Sequence, residues 1–164
     1  MKQDDQTEVL SVALGHTPTM SAHRHSWLTW CHALLYAIYM TIIFEAKNGV
    51  QKSAERLIIL RPGNVPLLSH DMLLVQARED AAHLKAFLNL LLGHRLCYSR
   101  SLAVCAGLRC LGYPCRSIVG YEQVYQYTDT PTHAYVELHQ EPISDPYDTR
   151  YAYVPVLYYG EGAM

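Results

Sequence analysis

Apolar residues recur along this chain in two rhythms, and the change from one to the other falls near residue 115. Before it the spacing is helical. Trp27 to Phe44 is the most apolar stretch and contains no Asp, Glu, Lys or Arg. Its length approaches a membrane span. Cys31, His32 and its tyrosines favour instead a helix buried on all sides of a small domain, with a peripheral membrane contact left open. Asn48-Gly49 would end this helix in left-handed backbone. Val50 to Leu60 predicts a short helix with Val50, Ala54, Leu57 and Ile58 on one face, followed by a turn at Arg61-Pro62-Gly63-Asn64. Ser69 is placed to cap a longer helix. Its positions Leu73, Ala77, Ala81, Leu84, Leu88 and Leu91 keep three- and four-residue steps up to Gly93. Leu96 to Leu111 is helical again. Val104, Leu108 and Leu111 run in register with Cys97, and Leu102, Ala103, Ala106 and Cys110 widen the apolar surface, so this helix should be central.

The rhythm then shortens to two. Arg116–Tyr127, His133–Leu138 and Tyr151–Tyr159 are rich in Val, Ile and Tyr and tend to alternate. Thr128-Asp129-Thr130-Pro131 and His139-Gln140-Glu141-Pro142 separate them as turns, which predicts antiparallel strands. Helices first and strands afterwards means an α+β fold, a helical N-terminal half with its last helix packed on a small antiparallel sheet. Residues 1–26 are polar and aperiodic and read as a mobile tail. Residues 27–164 read as one domain, with 27–95 helical and 96–164 forming the central helix and the sheet. His16, His23 and His25 lie in the tail and read as solvated histidines rather than metal ligands.

Composition narrows the classes. Half of the 164 residues are hydrophobic and 17% are charged, which excludes a disordered chain. Net charge is −2, and no cluster of Lys and Arg marks a nucleic-acid surface. Of the five cysteines, Cys97, Cys105 and Cys110 share one predicted helix, where bridging is geometrically barred, and no C-x-x-C pair suggests zinc. The reading is a reduced, cytoplasmic protein with neither metal nor cofactor. Its acidic N-terminus lacks the basic-then-apolar order of a secretory signal.

The chemistry concentrates on three residues. Cys97 opens the central helix, where unpaired amides and the positive end of the helix dipole stabilise a thiolate. His133 lies in a strand-like segment and would serve as the base. Asp145 precedes a proline and would orient the imidazole. Asp148 is the fallback carboxylate. His94 is an alternative base that would have to reach back over a capping turn. Cys105 and Cys110 fall mid-helix, where a small apolar side chain packs well, and Cys115 follows Pro114 at a strand entrance.

These residues resemble the transglutaminase-like cysteine protease superfamily, and within it the leader peptidases of lasso-peptide biosynthesis. That branch shows Cys-x-x-Arg-Ser-Leu-Ala at the nucleophile helix, Gly-x-Pro after it, and His-Ala-Trp-Val-Glu in a strand. Here the likeness runs through Cys97, Arg100-Ser101-Leu102-Ala103, Gly112, Pro114, Val119-Gly120 and His133-Ala134 with Val136-Glu137, over about Leu96 to Asp145. Tyr135 replaces the usual tryptophan. The resemblance implies a peptidase that cuts the leader from a ribosomally made precursor peptide. Its nucleophile would be Cys97, its proton shuttle His133 and its orienting carboxylate Asp145. It also implies a separate leader-recognition protein as partner and a cyclase acting downstream. Two other readings stand beside it. One is a related acyl transferase or amidase, sharing the chemistry up to the acyl-enzyme. The other is a non-catalytic, membrane-associated scaffold, drawn from Trp27–Phe44 and the tyrosines near the C-terminus.

Overall fold

Four helices precede four strands in the computed structural model, which describes residues 25–46, 48–64, 67–93, 96–123, 131–145 and 149–160. The helices are α1 (Trp27–Glu45), α2 (Gly49–Ile59), α3 (His70–Leu92) and α4 (Cys97–Cys110). The strands are β1 (Arg116–Glu122), β2 (Thr132–Leu138), β3 (Glu141–Pro142) and β4 (Tyr153–Tyr159), with a 3₁₀ turn over Thr149–Tyr151 before the last. The sheet order is β3-β2-β1-β4 and every pairing is antiparallel. The fold is α+β, as the two rhythms predict.

Helix α4 is the centre of the molecule. It packs on α1 and α3 on one side and on β1 and β2 on the other. Every residue from Ser101 to Arg109 is buried. Leu102 and Leu108 of α4, with Leu84 of α3, are fully enclosed. Each such leucine contributes about 2 kcal/mol of burial free energy. Arg109 is also buried. Its Nε donates to Leu60 O at 2.7 Å and its Nη1 to Cys115 O at 2.9 Å and to Gly160 O. One cation thereby joins the end of α2, the entrance of β1 and the exit of β4.

Helix α1 departs from the reading of a helix buried all round. It turns its small residues inward, with Ala33, Ala37, Met40 and Thr41 buried. Several of its large ones face out, with Trp27 73%, Leu35 67% and Ile42 60% exposed, while Trp30, Leu34, Ile38 and Phe44 are half-buried against the core. Ala33 and Ala37 allow close approach of α1 to α4, and Phe44 meets Tyr98 near the start of α4. By length and composition α1 is apolar enough to cross a membrane.

Other expectations shift too. Asn48-Gly49 starts α2 rather than ending α1. Asn48 is the N-cap in left-handed backbone (φ 60°), and a Cβ at Gly49 would run into the carbonyl oxygens of Ile43 and Phe44. The buried face of α2 is Gly49, Ser53, Ala54 and Leu57, while Val50 and Ile58 are exposed. In α3, Leu73 to Leu88 are buried as spaced and Leu91 is exposed. The segment His139 to Pro142 is more than a turn. His139 and Gln140, both at positive φ, make a two-residue hairpin, and Glu141–Pro142 already pair with β2. His25 is not solvated, since its side chain is 7% exposed against Tyr113 and Asp80. Ser26 caps α1, while residues 1–24, with His16 and His23, lie outside the described residues, as do His94, Asp148, the 128–130 turn and the 124–127 end of the predicted first strand.

Candidate active site

Cys97 is the first residue of α4, and Leu96 before it supplies no side-chain cap. The amides of the first turn are therefore not taken by a capping oxygen. Tyr98 N–H and Ala134 N–H both donate toward the Cys97 sulfur. The likeness at Arg100-Ser101-Leu102-Ala103 has a packing basis. Leu102 and Ala103 are buried, and Ser101 Oγ lies 2.7 Å from Ser117 Oγ on β1, fixing α4 against the sheet.

His133 is the second residue of β2. Ala134, Val136 and Leu138 are buried, and the last two join the core beneath α4, while His133, Tyr135 and Glu137 share the opposite face. The imidazole meets the sulfur around the starting end of the strand, beside Ala134. Its Nε2 lies 3.3 Å from Asp145 Oδ1, which leaves Nδ1 as the nitrogen for the thiol. The structure thus brings Cys97, His133 and Asp145 together around one small cavity, which Lys85, Arg100 and Ser101 also line.

Asp145 sits on a pinned segment. Ile143 N–H donates to Val136 O at 2.9 Å, and Val136 N–H donates to Ser144 Oγ at 2.8 Å. Ser144 Oγ donates in turn to Asp145 Oδ2 at 2.9 Å, and Lys85 Nζ donates to Ser144 O. The side chain of His133 is 28% exposed and that of Asp145 16%. Lys85, Ser144 and Tyr153 belong to this neighbourhood and were not read from the sequence. Ser144 could have been suspected from its place beside Asp145. Nothing in the spacing links Lys85, sixty residues earlier, to that loop.

The electrostatics separate Cys97 from the other thiols. The hydrogen bond with His133 lowers the Cys97 pKa most, and the amides of Ala134 and Tyr98 add to it against a burial penalty. Burial pushes Cys110 up to about 11 and Cys105 well above the usual range. The Cys105 and Cys115 sulfurs lie 3.7 Å apart and face each other without a bond. His133 rises from 6.5 to about 9, first through Asp145 and then through Cys97. Burial raises the Asp145 carboxyl, but the His133 and Ser144 hydrogen bonds and the charges of His133 and Lys85 bring it below its ordinary value. These shifts favour a thiolate–imidazolium pair backed by an ionised carboxylate, an arrangement suited to presenting a sulfur to an electrophilic carbon and a proton to a departing group. Among the described residues no group of three or more His, Cys, Asp or Glu side chains is arranged to hold a metal ion.

Comparison with family models, curated proteins and solved structures returns no match to this chain.

Proposed function

We propose that the chain is a cysteine peptidase that removes the leader from a ribosomally made lasso-peptide precursor. The observation that carries this reading is that Cys97, His133 and Asp145 meet around one small cavity, with Asp145 Oδ1 3.3 Å from His133 Nε2. A thiol kept only for packing needs no such partner, as Cys110 illustrates.

In the proposed reaction the Cys97 thiolate adds to the carbonyl carbon at the leader–core junction. The oxyanion takes the amides at the start of α4. His133 gives its proton to the amine nitrogen, the C–N bond breaks, and the leader remains on sulfur as a thioester. His133 then takes a proton from water, whose oxygen adds to the thioester carbon and expels the thiolate. Asp145 holds the ring's tautomer and orientation throughout.

The precursor class comes from the resemblance around Cys97 and His133. With it come a separate leader-recognition protein and a cyclase downstream, and the cysteine spacing adds a cytoplasmic site of action. The exposed apolar face of α1 supports an additional contact with a partner or a membrane surface.

The test is to supply precursor and leader-binding protein and weigh the products by mass spectrometry. Free leader is the expected product. A mass gain from an added amine would assign an acyl transferase instead. A Cys97→Ala chain that still cleaves would overturn the mechanism.

A further inference from the structure

The cavity at Cys97 is too small for a peptide. It encloses about 40 Å³, room for little more than the reacting carbonyl. Beside it runs a trough of about 620 Å³ between α3 and the 141–145 segment, and the two share Lys85, Ser144 and Asp145. We propose that this trough holds the amine-side half of the substrate, the residues that depart when the acyl-enzyme forms. The assignment rests on the peptidase reading above.

Direction comes from the proton. A general acid must face the nitrogen it protonates, while the carbonyl oxygen turns to the amides around the sulfur. The acyl half therefore leaves the site past α4, and the amine half leaves it past His133 and Asp145. The trough lies on the Asp145 side of the site: it shares Lys85, Ser144 and Asp145 with the small cavity, His133 borders that cavity but not the trough, and the trough's lining includes neither Cys97 nor Arg100.

Shape gives the ligand class. Ala82 and Ala86, one turn apart on α3, make a low floor, and Pro142 and Ile143 form the facing wall. From Arg78 to Asn89 the lining face of α3 runs about 16 Å, the length of about four or five extended residues. Charges along it are balanced. Arg78 lies 3.9 Å from Glu141, and Lys85 stands beside Asp145. A trough of this kind selects by shape and backbone hydrogen bonding, so it takes an extended, uncharged peptide segment.

The test uses the full chain with its leader-binding protein and two substrates that share one acyl half. The first continues for five residues beyond the scissile bond. The second ends there in a small fluorogenic arylamine. Ala82→Trp fills the trough from an exposed helix position, and Ala86→Trp does so one turn on. Each should lower kcat/KM on the five-residue substrate at least about tenfold more than on the arylamide. Equal losses on both substrates, or no loss on either, would overturn the trough assignment while leaving the peptidase standing. A wild-type chain that cleaves neither substrate would overturn the peptidase reading, and the trough with it.

Discussion

Gly120 lies directly across the sheet from His133, and the space a side chain at 120 would need is filled by Tyr153. The added Cβ would fall 2.7 Å from Tyr153 Cβ, closer than carbon atoms tolerate. The Tyr153 ring rests against the imidazole with centroids 5.1 Å apart. A β-bulge between Val119 and Gly120 sets up this contact. Ile118 faces Tyr158 but Gly120 faces Pro155, so the parity of β4 changes and Tyr153 comes to the face that carries His133. Gly120→Ala should push Tyr153 and the imidazole apart. We expect kcat to fall about tenfold or more with a stability loss of about 1–3 kcal/mol. Steady-state kinetics beside thermal unfolding would show it. Full activity in this variant would mean that the Tyr153 contact does not position the ring.

The thiolate–imidazolium pair fixes a pH window. Cys97 ionises below its ordinary 9.0, and His133 stays protonated up to about 9. The kcat/KM profile should therefore rise as the thiol ionises and fall again near pH 9 as the imidazolium is lost, with both limbs belonging to the coupled pair. The stability link has opposite signs for the two partners. The contribution of His133 is complete below 6.5 and disappears as pH rises through about 9. That of Cys97 is complete above 9.0 and disappears as pH falls through its lowered value. Alkylation of Cys97 across pH reads the first limb directly. A single rise near the ordinary thiol value, with no descending limb, would contradict the pair.

Asp145 is the first cause of the raised His133 pKa, so removing its charge should move the descending limb. In Asp145→Asn the fall in kcat/KM should begin at lower pH, and kcat should drop by about two to four orders of magnitude, as expected when an orienting carboxylate is lost. Lys85→Met tests the support behind it. Lys85 holds the Ser144 carbonyl and its charge lowers the Asp145 carboxyl. A smaller loss of kcat is expected there, because the 143–145 segment that carries Asp145 is held less firmly. An unmoved profile in Asp145→Asn would remove Asp145 from its orienting role.

The helical half was legible because its signal is local. Leu73, Ala77, Ala81, Leu84 and Leu88 repeat with the period of one helix face and are all buried. Cys97 at the head of α4 was legible for the same reason. What escaped was set by partners distant in sequence. The outward turn of Leu35 and Ile42 follows from alanines facing α4, which no periodicity within α1 announces. The apolar residues run all round that helix and cannot say which side is covered. His25 reads as tail until Asp80 and Tyr113, from α3 and the end of α4, enclose it. The short β3 was hidden by its proline, which pairs only because it sits on an edge strand. For the candidate site, the three residue types were readable from chemistry, but Lys85, Ser144 and Tyr153 act through contacts that only the folded chain makes.

Arg109 ties together three separate parts of the fold, and its contribution can be isolated. Its three acceptors, Leu60 O, Cys115 O and Gly160 O, come from α2, the entrance of β1 and the exit of β4. Arg109→Met keeps much of the apolar stem but takes the guanidinium from three carbonyls, of which Cys115 O retains the Cys105 thiol as a donor. The two left without a donor cost about 1–3 kcal/mol each unless water reaches them, so a loss of about 2–6 kcal/mol is expected. That is a large share of the total for a domain of this size. Denaturant unfolding should show a lower midpoint, and hydrogen exchange should show β4 opening first, since its last tie is the one broken. A stability within about 0.5 kcal/mol of the parent chain would mean that the buried guanidinium repays only its own desolvation.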